Sequence, residues 1–332
     1  MRRQSRRSKR NTKRWPVMTE RERGGIRPGI ASQALTSAPG DRGGAAGAGP
    51  RPRVGGRLRM LALVLPALLL LGVFFVLPLA KVALWSLLDA KGGGLTVGYY
   101  VRAVTETIYL RVVLNTFRIS LYVTVICLVL GYPVAYLLAT ARPRVASFLM
   151  IFVVLPFWIS LLVRLYAWIV LLQQRGAVNT LLLGLGVIRE PLPLVYNLTG
   201  VIVGMVHVLL PFMILPLYSV MKGIDPTLMA AAQNLGGTPA QAFRRVFLPL
   251  TYPGIGAGTL MVFMLSIGYF VTPALLGGLK ETFIAQLIEQ QVSVLIDWSF
   301  AAALAILLLA VTLLIYYLFN RVLGLDRIWG GV

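Results

Sequence analysis

The sequence is poor in charge, cysteine and histidine. Charged residues make up 13% of the 332 residues and apolar residues 58%, so there are too few charges to hydrate the surface of a water-soluble domain of this length. Cys127 and His207 are the only residues of their types, which excludes a disulfide framework and leaves too few ligands for a metal site. We therefore expect a membrane to be the main solvent of the chain, and no metal site.

Basic residues are present, but they are unevenly distributed. The formal net charge is +21, and 16 of the 32 Lys and Arg residues lie within residues 1–59. This segment is rich in Gly, Ala and Pro at 39–56 and has almost nothing apolar to bury, so it is predicted to be a disordered basic cytoplasmic tail. Such a tail can contact anionic lipid headgroups, and we expect membrane lipid as a partner and no nucleic acid.

Long apolar runs dominate the rest of the chain. Each run can cross the hydrocarbon core of a bilayer, which takes about 20 residues of helix. None contains Asp or Glu, and continuous apolarity over such lengths differs from the alternating pattern of a membrane β-barrel. We predict an all-α membrane protein with about six transmembrane helices, near 61–86, 116–140, 147–172, 198–220, 254–276 and 299–322.

The Lys and Arg residues of the connecting segments predict the orientation of these spans. With the basic tail inside, Arg142 and Arg144 also fall on the inner side, whereas the acidic residues from 89 to 297 other than Asp225 fall on the outer side. The outer connections contain Lys and Arg as well, so the basic tail carries most of this prediction. An even number of spans then places both termini in the cytoplasm, including a short tail at 326–332.

The inner segment 222–250 is long and contains signals for a short helix. Asp225 can cap a helix that begins at Pro226, and Gly236 can end it. An apolar face is formed at helical spacing by Leu228, Ala231, Ala232 and Leu235. Because so short a helix is not stable alone, we expect the segment to pack against another structure.

A second short helix is predicted to follow directly. Thr238-Pro239 repeats the start signal, and Pro249 is expected to end the helix. Two interpretations are open at this point. The segment can be an amphipathic hairpin on the membrane, with Arg244 and Arg245 in contact with lipid phosphates, or a docking element for a partner protein.

The spacing within residues 230–249 resembles the EAA loop of binding-protein-dependent ABC importer permeases. In that family Glu-Ala-Ala is followed at fixed intervals by Gly, Ile and Leu-Pro. The matching residues here are Ala230, Ala231, Ala232, Gly236, Val246, Leu248 and Pro249. The resemblance implies docking to an ABC ATPase subunit.

The sequence departs from the family pattern at the glutamate, whose position is occupied by Ala230. An acidic residue that is frequent four positions later is also replaced, by Asn234. In the family this glutamate helps to engage the nucleotide-binding subunit, so the ion pair is in doubt. The contact would then depend on packing by Leu228, Leu235 and Phe247 and on the charges of Arg244 and Arg245.

The resemblance extends over about residues 60–325. Leu155-Pro156-Phe157-Trp158 and Phe270-Val271-Thr272-Pro273 resemble the spermidine/putrescine-type subgroup. This implies a type I ABC importer permease fold in a bacterial plasma (inner) membrane, a second homologous permease subunit, and an extracytoplasmic solute-binding protein. It implies a polyamine such as spermidine or putrescine as substrate, followed by other small organic solutes or metal chelates.

No enzymatic activity is expected. The sequence lacks a GxxxxGK[ST] phosphate-binding loop. We therefore expect no cofactor on this chain, with ATP and Mg²⁺ bound by the partner subunit.

Five polar residues near the predicted spans are candidates for the translocation pathway: Ser160, Arg164, Tyr166, Tyr269 and Thr272. Tyr132 and Tyr136 are further candidates on a long apolar run, and on sequence alone each of the hydroxyl residues can equally face a neighbouring helix. An intramembrane arginine is costly and therefore suggests function, but Arg164 can also extend to the interface or form a structural pair. His207 is expected to be a packed, hydrogen-bonded histidine.

Two other functional classes compete with the importer. An ion-gradient-driven transporter or channel would need no docking element, but it would normally carry intramembrane acidic groups and internal repeats, which we do not find. A non-transporting membrane anchor whose basic tail binds nucleic acid is the second rival, and deletion of the tail would distinguish it.

Overall fold

The computed structural model describes residues 64–89 and 93–323. The predicted tails at 1–59 and 326–332 lie outside the described residues. All of the described residues lie within one compact unit, Ala62–Val332.

The described residues are mostly helical and form no β-sheet, although Leu88 and Leu95 make an isolated antiparallel bridge. The helices are α1 Val64–Trp85, α2 Gly98–Thr105, α3 Thr107–Thr140, α4 Pro143–Val154, α5 Leu161–Leu172, α6 Ala177–Gly184, α7 Leu198–Lys222, α8 Pro226–Asn234, α9 Pro239–Leu250, α10 Tyr252–Ile267, α11 Val271–Leu276, α12 Ile284–Ser293 and α13 Trp298–Leu323.

Four of these helices are long and apolar enough to cross a membrane: α1, α3, α7 and α13. Two further pairs pass the same test together but are bent. Pro143–Trp158 and Leu161–Gly184 meet at 100°, and α9 meets α10 at 56°. If each bent pair is one span, the described residues contain six, and the predicted fold class of an all-α membrane protein with about six spans is confirmed.

The stretch 147–172 is not one continuous helix, contrary to the sequence-based expectation. A short 3-10 turn, Leu155–Trp158, follows α4. Ile159 then adopts extended backbone, and Ser160, with a ψ of 136°, is also non-helical before α5 begins. Pro156 has no amide hydrogen with which to continue the helical hydrogen bonds. Composition alone did not predict this break, because both halves are equally apolar.

The stretch 254–276 is also interrupted. α10 ends at Ile267 and α11 begins at Val271. Pro273 lies in the first turn of α11, where its missing amide hydrogen costs little, whereas in a continuous helix it would remove the bond to Tyr269. The expected helix at 116–140 likewise differs, since α3 begins nine residues earlier at a less apolar sequence.

The centre of the described bundle is formed by α3, α7 and α10, which pack closely through glycine. A Cβ on Gly258 of α10 would lie 2.8 Å from Sδ of Met213, and one on Gly254 would lie 3.0 Å from Cβ of Val220. Small residues allow this approach between membrane helices. The buried core includes Ile119, Val123, Cys127, Val201, Met205, Leu209, Leu217 and Val262.

Candidate functional site

The segment formed by α8 and α9 connects α7 to α10, and its first helix begins as the sequence indicates. Asp225 is the N-cap of α8, and its Oδ1 accepts a hydrogen bond from the Thr227 amide at 2.9 Å. Hydrogen bonds from Thr227 hold the pKa of the Asp225 carboxyl below its ordinary value. The cap is therefore fully present above the ordinary carboxyl pKa, and it is lost only as the pH falls through the lowered value.

Two glycines end α8 in a Schellman arrangement. The Gly236 amide donates to the Gln233 carbonyl at 2.9 Å, and the Gly237 amide donates to the Ala232 carbonyl at 3.2 Å. Gly236 has a φ of +89°, a left-handed conformation that glycine adopts at little cost and a side chain resists. The predicted turn therefore has a specific conformational requirement at Gly236.

α9 begins with a capping box formed by Thr238 and Gln241. The sequence prediction included the start at Thr238 but not the role of Gln241. The Gln241 amide donates to Thr238 Oγ1 at 3.3 Å, and the Thr238 amide donates to Gln241 Oε1 at 3.0 Å. The Thr-x-x-Gln spacing was the available signal. Pro249 does not end the helix as expected, because α9 continues to Leu250 and bends into α10 at Thr251.

Four aromatic rings attach this segment to α3, and we call them the aromatic bracket: Tyr132, Tyr136, Phe243 and Phe247. The Tyr136 ring centroid lies 5.6 Å from that of Phe243 and 5.2 Å from that of Phe247, both nearly perpendicular, a favourable edge-to-face geometry. Tyr132 lies 6.4 Å from Phe243, and its hydroxyl is 3.2 Å from that of Thr251. The two tyrosines therefore face a neighbouring helix, which was the alternative to a position in the pathway.

The bracket also changes the role expected of Phe247. Its side chain is only 6% exposed, so it packs inside the chain and cannot contact a partner as the sequence analysis expected. The i, i+4 spacing of aromatic residues in both α3 and α9 was the signal for this contact, because such residues share one face of a helix.

The opposite side of the segment faces away from the chain. α8 has no buried residue, Leu235 is 90% exposed and Leu228 is 44% exposed. We define the coupling surface by six exposed members of the predicted set: Leu228, Ala230, Ala231, Leu235, Arg244 and Arg245. Ala232 and Leu248 are half-buried and Pro249 is exposed. Leu228, Ala231 and Leu235 lie at helical spacing on this side, so the exposed apolar area is a patch and not an isolated side chain.

The structure brings together only some of the candidate pathway residues. A Cβ on Gly204 of α7 would lie 2.7 Å from Cγ2 of Thr272 and 3.6 Å from a methyl group of Leu165, so α5, α7 and α11 meet there. Arg164, next to Leu165, is half-buried and lies one helical turn before Trp168, whose ring contacts His207 of α7. Tyr269 lies in the break before α11, three residues before Thr272. We call Arg164, His207 and Tyr269 the polar cluster.

The remaining pathway candidates differ from one another in their surroundings. Thr272 is fully buried, and its hydroxyl has no partner at full hydrogen-bond geometry among the described residues, although it lies close enough to interact with the Tyr269 hydroxyl. Ser160 lies in the break before α5 and is exposed. Tyr166 is 58% exposed. The pathway assignment of Ser160 and Tyr166 stays a prediction.

His207 is packed and hydrogen-bonded. The Trp168 indole Nε1 donates to His207 Nδ1 at 3.0 Å. Because an indole nitrogen can only donate, Nδ1 carries no proton and the neutral ring has its hydrogen on Nε2. Among the described residues, no group of three or more His, Cys, Asp or Glu could hold a metal ion.

Comparison with known proteins identifies the family. The family described as "Binding-protein-dependent transport system inner membrane component" matches residues 128–325. The chain belongs to this family. The match includes the coupling surface, the aromatic bracket and the polar cluster.

Two relatives and one solved structure are informative. The chain is 37% identical to the spermidine/putrescine transport system permease protein PotB of Haemophilus influenzae over 76% of this chain and 91% of that protein. It is 38% identical to PotB of Escherichia coli K12 over 69% of this chain and 84% of that protein. The crystal structure of a bacterial ABC transporter involved in alginate import shares the fold, with a TM-score of 0.63 and 19% identity over 82% of this chain and 96% of that one.

The family assignment carries direct consequences. The chain is a multi-pass inner-membrane transport subunit of the ABC importer class and not an enzyme, and ATP hydrolysis takes place on a separate subunit. The alternative of a transporter driven by an ion gradient is not favoured.

Proposed function

We propose that the chain is the permease subunit of an ATP-driven importer for polyamines such as spermidine and putrescine. The names of the PotB relatives support this substrate class. An extracytoplasmic binding protein delivers the solute, and a second, homologous permease chain completes the pathway. ATP and Mg²⁺ bind to the ATPase subunits and not to this chain.

The observation that carries the coupling role is the exposed surface of an otherwise well-ordered segment. Leu235 lies almost fully exposed beside a glycine turn, and both helices of the segment are capped. When ATP closes the ATPase pair, the coupling surface moves with it. The aromatic bracket passes this movement to α3, and the permease changes from inward-facing to outward-facing because the ATPase binds the two states differently.

An uptake experiment tests the proposed substrate. The complete transporter, with the binding protein and ATPase encoded beside it, is produced in cells that lack polyamine import. We expect ATP-dependent uptake of labelled spermidine or putrescine that requires the binding protein. If the binding protein retains neither polyamine and uptake stays at background, the substrate assignment is wrong.

The proposed orientation places both termini in the cytoplasm. On a Cys127→Ala background, a single cysteine at position 240 should resist a membrane-impermeant thiol reagent in intact cells and react after permeabilisation. Ala240 is exposed in the chain, so protection in intact cells would come from the membrane or from a bound partner. Efficient labelling of position 240 from outside intact cells would show that the proposed orientation is wrong.

A further inference from the structure

The polar cluster has the hydrogen-bonding character of an anion site. A guanidinium carries only donors, and the neutral His207 ring presents its remaining hydrogen on Nε2 because Nδ1 accepts from Trp168. The Tyr269 hydroxyl is a further donor. Arg164 lies one helical turn before Trp168 on α5, and His207 lies one turn after Gly204 on α7, where α5, α7 and α11 meet. The three groups therefore belong to the same region of the bundle.

The described part of the chain does not supply the matching anion. The Nε of Arg164 is buried without a hydrogen-bond partner, and no carboxylate among the described residues forms an ion pair with it. None of the membrane-spanning helices in the described ranges contains Asp or Glu. Arginine stays protonated in proteins, and a half-buried positive charge in an apolar membrane segment is stabilised by an opposite charge.

We propose that the polar cluster binds a carboxylate side chain of the second permease subunit within the membrane. The proposal rests on the proposed function, because that function supplies the second subunit. The proposed solute is a polycation, so it cannot supply the anion and would be repelled by Arg164. A carboxylate from a facing helix matches the geometry, since a guanidinium forms paired hydrogen bonds with it.

The surface beside Arg164 suits a facing helix. Ala167 and Leu171 follow at one and two helical turns along α5, and both are exposed. A small side chain at Ala167 allows the backbone of a second helix to approach closely. The cluster therefore lies at the edge of a narrow, mostly apolar strip that another membrane helix can cover.

The test measures assembly of the complete transporter. The second permease is recovered in mild detergent with tagged wild-type chain, with Arg164→Gln and with Arg164→Lys. We expect roughly tenfold lower recovery with Arg164→Gln, the scale of a strong polar contact between membrane helices, and most of the recovery retained with Arg164→Lys. Arg111→Gln, which removes an exposed arginine from α3, is the matched control and should assemble normally.

A second measurement remains decisive if Arg164→Gln fails to insert. A photoreactive phenylalanine analogue at position 167, with Arg164 intact, should cross-link to the second permease on illumination. The proposal is overturned if position 167 cross-links only to lipid. It is also overturned if Arg164→Gln inserts and recovers the second permease in full, even if transport is lost, because Arg164 would then act on the solute.

The wild-type sample separates this inference from the proposed function. If the wild-type chain recovers no second permease at all, the proposed function fails. If the wild-type chain recovers it and Arg164→Gln does so equally, only the anion site is wrong.

Discussion

The turn between α8 and α9 provides the sharpest test of the coupling role, through the substitution Gly236→Val. Gly236 has a φ of +89°, and a Cβ at this position would meet no atom within 4 Å. The substitution therefore causes no clash, and its whole cost is the backbone conformation. Holding a β-branched residue in the left-handed region costs about 1–3 kcal/mol.

This cost predicts a measurable loss of docking. At 1.4 kcal/mol for each factor of ten, it lowers the population of the native turn roughly 5- to 150-fold. Misplacing the turn moves Leu235 and the first residues of α9, while the core of α3, α7 and α10 keeps its contacts. We expect Gly236→Val to insert at a normal level but to bind the ATPase poorly and to lose solute-stimulated ATP hydrolysis.

Two further substitutions serve as matched controls for Gly236→Val. Gly236→Asn should stay close to wild type, because asparagine tolerates the left-handed conformation. Gly223→Ala, at the end of α7, has a negative φ of −81° and an ordinary contact of 3.5 Å for its Cβ, so it should also be neutral. The assays are co-purification of the ATPase and its hydrolysis rate in proteoliposomes. Full ATPase binding and full transport by Gly236→Val would refute the coupling role of the turn.

Three further predictions follow from the same structure. Ala230→Glu restores the family residue at an exposed position, so we expect normal insertion and ATPase recovery equal to wild type or better; weaker recovery would mean that the partner has lost its basic site. Tyr136→Ala removes two ring contacts worth about 0.5–1.5 kcal/mol each, so ATPase binding should persist while the amount of solute transported per ATP hydrolysed falls in proteoliposomes. Tyr122 is an exposed tyrosine of α3, so the control Tyr122→Ala should leave the amount of solute transported per ATP unchanged. Deletion of residues 2–50 should leave membrane insertion and solute uptake in whole cells largely intact, and lost uptake at normal insertion would contradict the view of this segment as a dispensable tail.

The sequence predicted the coupling segment well because its structure is local. The cap at Asp225, the turn at Gly236 and the start at Thr238 each depend on hydrogen bonds between residues at most five positions apart. Such bonds are nearly independent of the rest of the fold. The spacing of these residues also carried the family resemblance, which the comparisons confirm.

The direction in which the segment faces was not predictable in the same way. Leu235 and Phe247 are both apolar and both close to a helix end, yet one is 90% exposed and the other 6%. The difference arises because α3 presents Tyr132 and Tyr136 to α9, far away in the sequence. Local pattern contains no information about which face another helix covers.

By itself, the sequence determined that the chain spans a membrane, how many apolar segments it has, and where the short helices between α7 and α10 begin and turn. Those properties follow from the transfer of apolar residues out of water and from hydrogen bonds within a few residues. Only the tertiary structure decided that the stretch before α5 breaks, and that Trp168 of α5 donates a hydrogen bond to His207 of α7. Hydropathy has the same value for a residue that faces lipid and one that faces another helix, so these contacts depend on packing between distant parts of the chain.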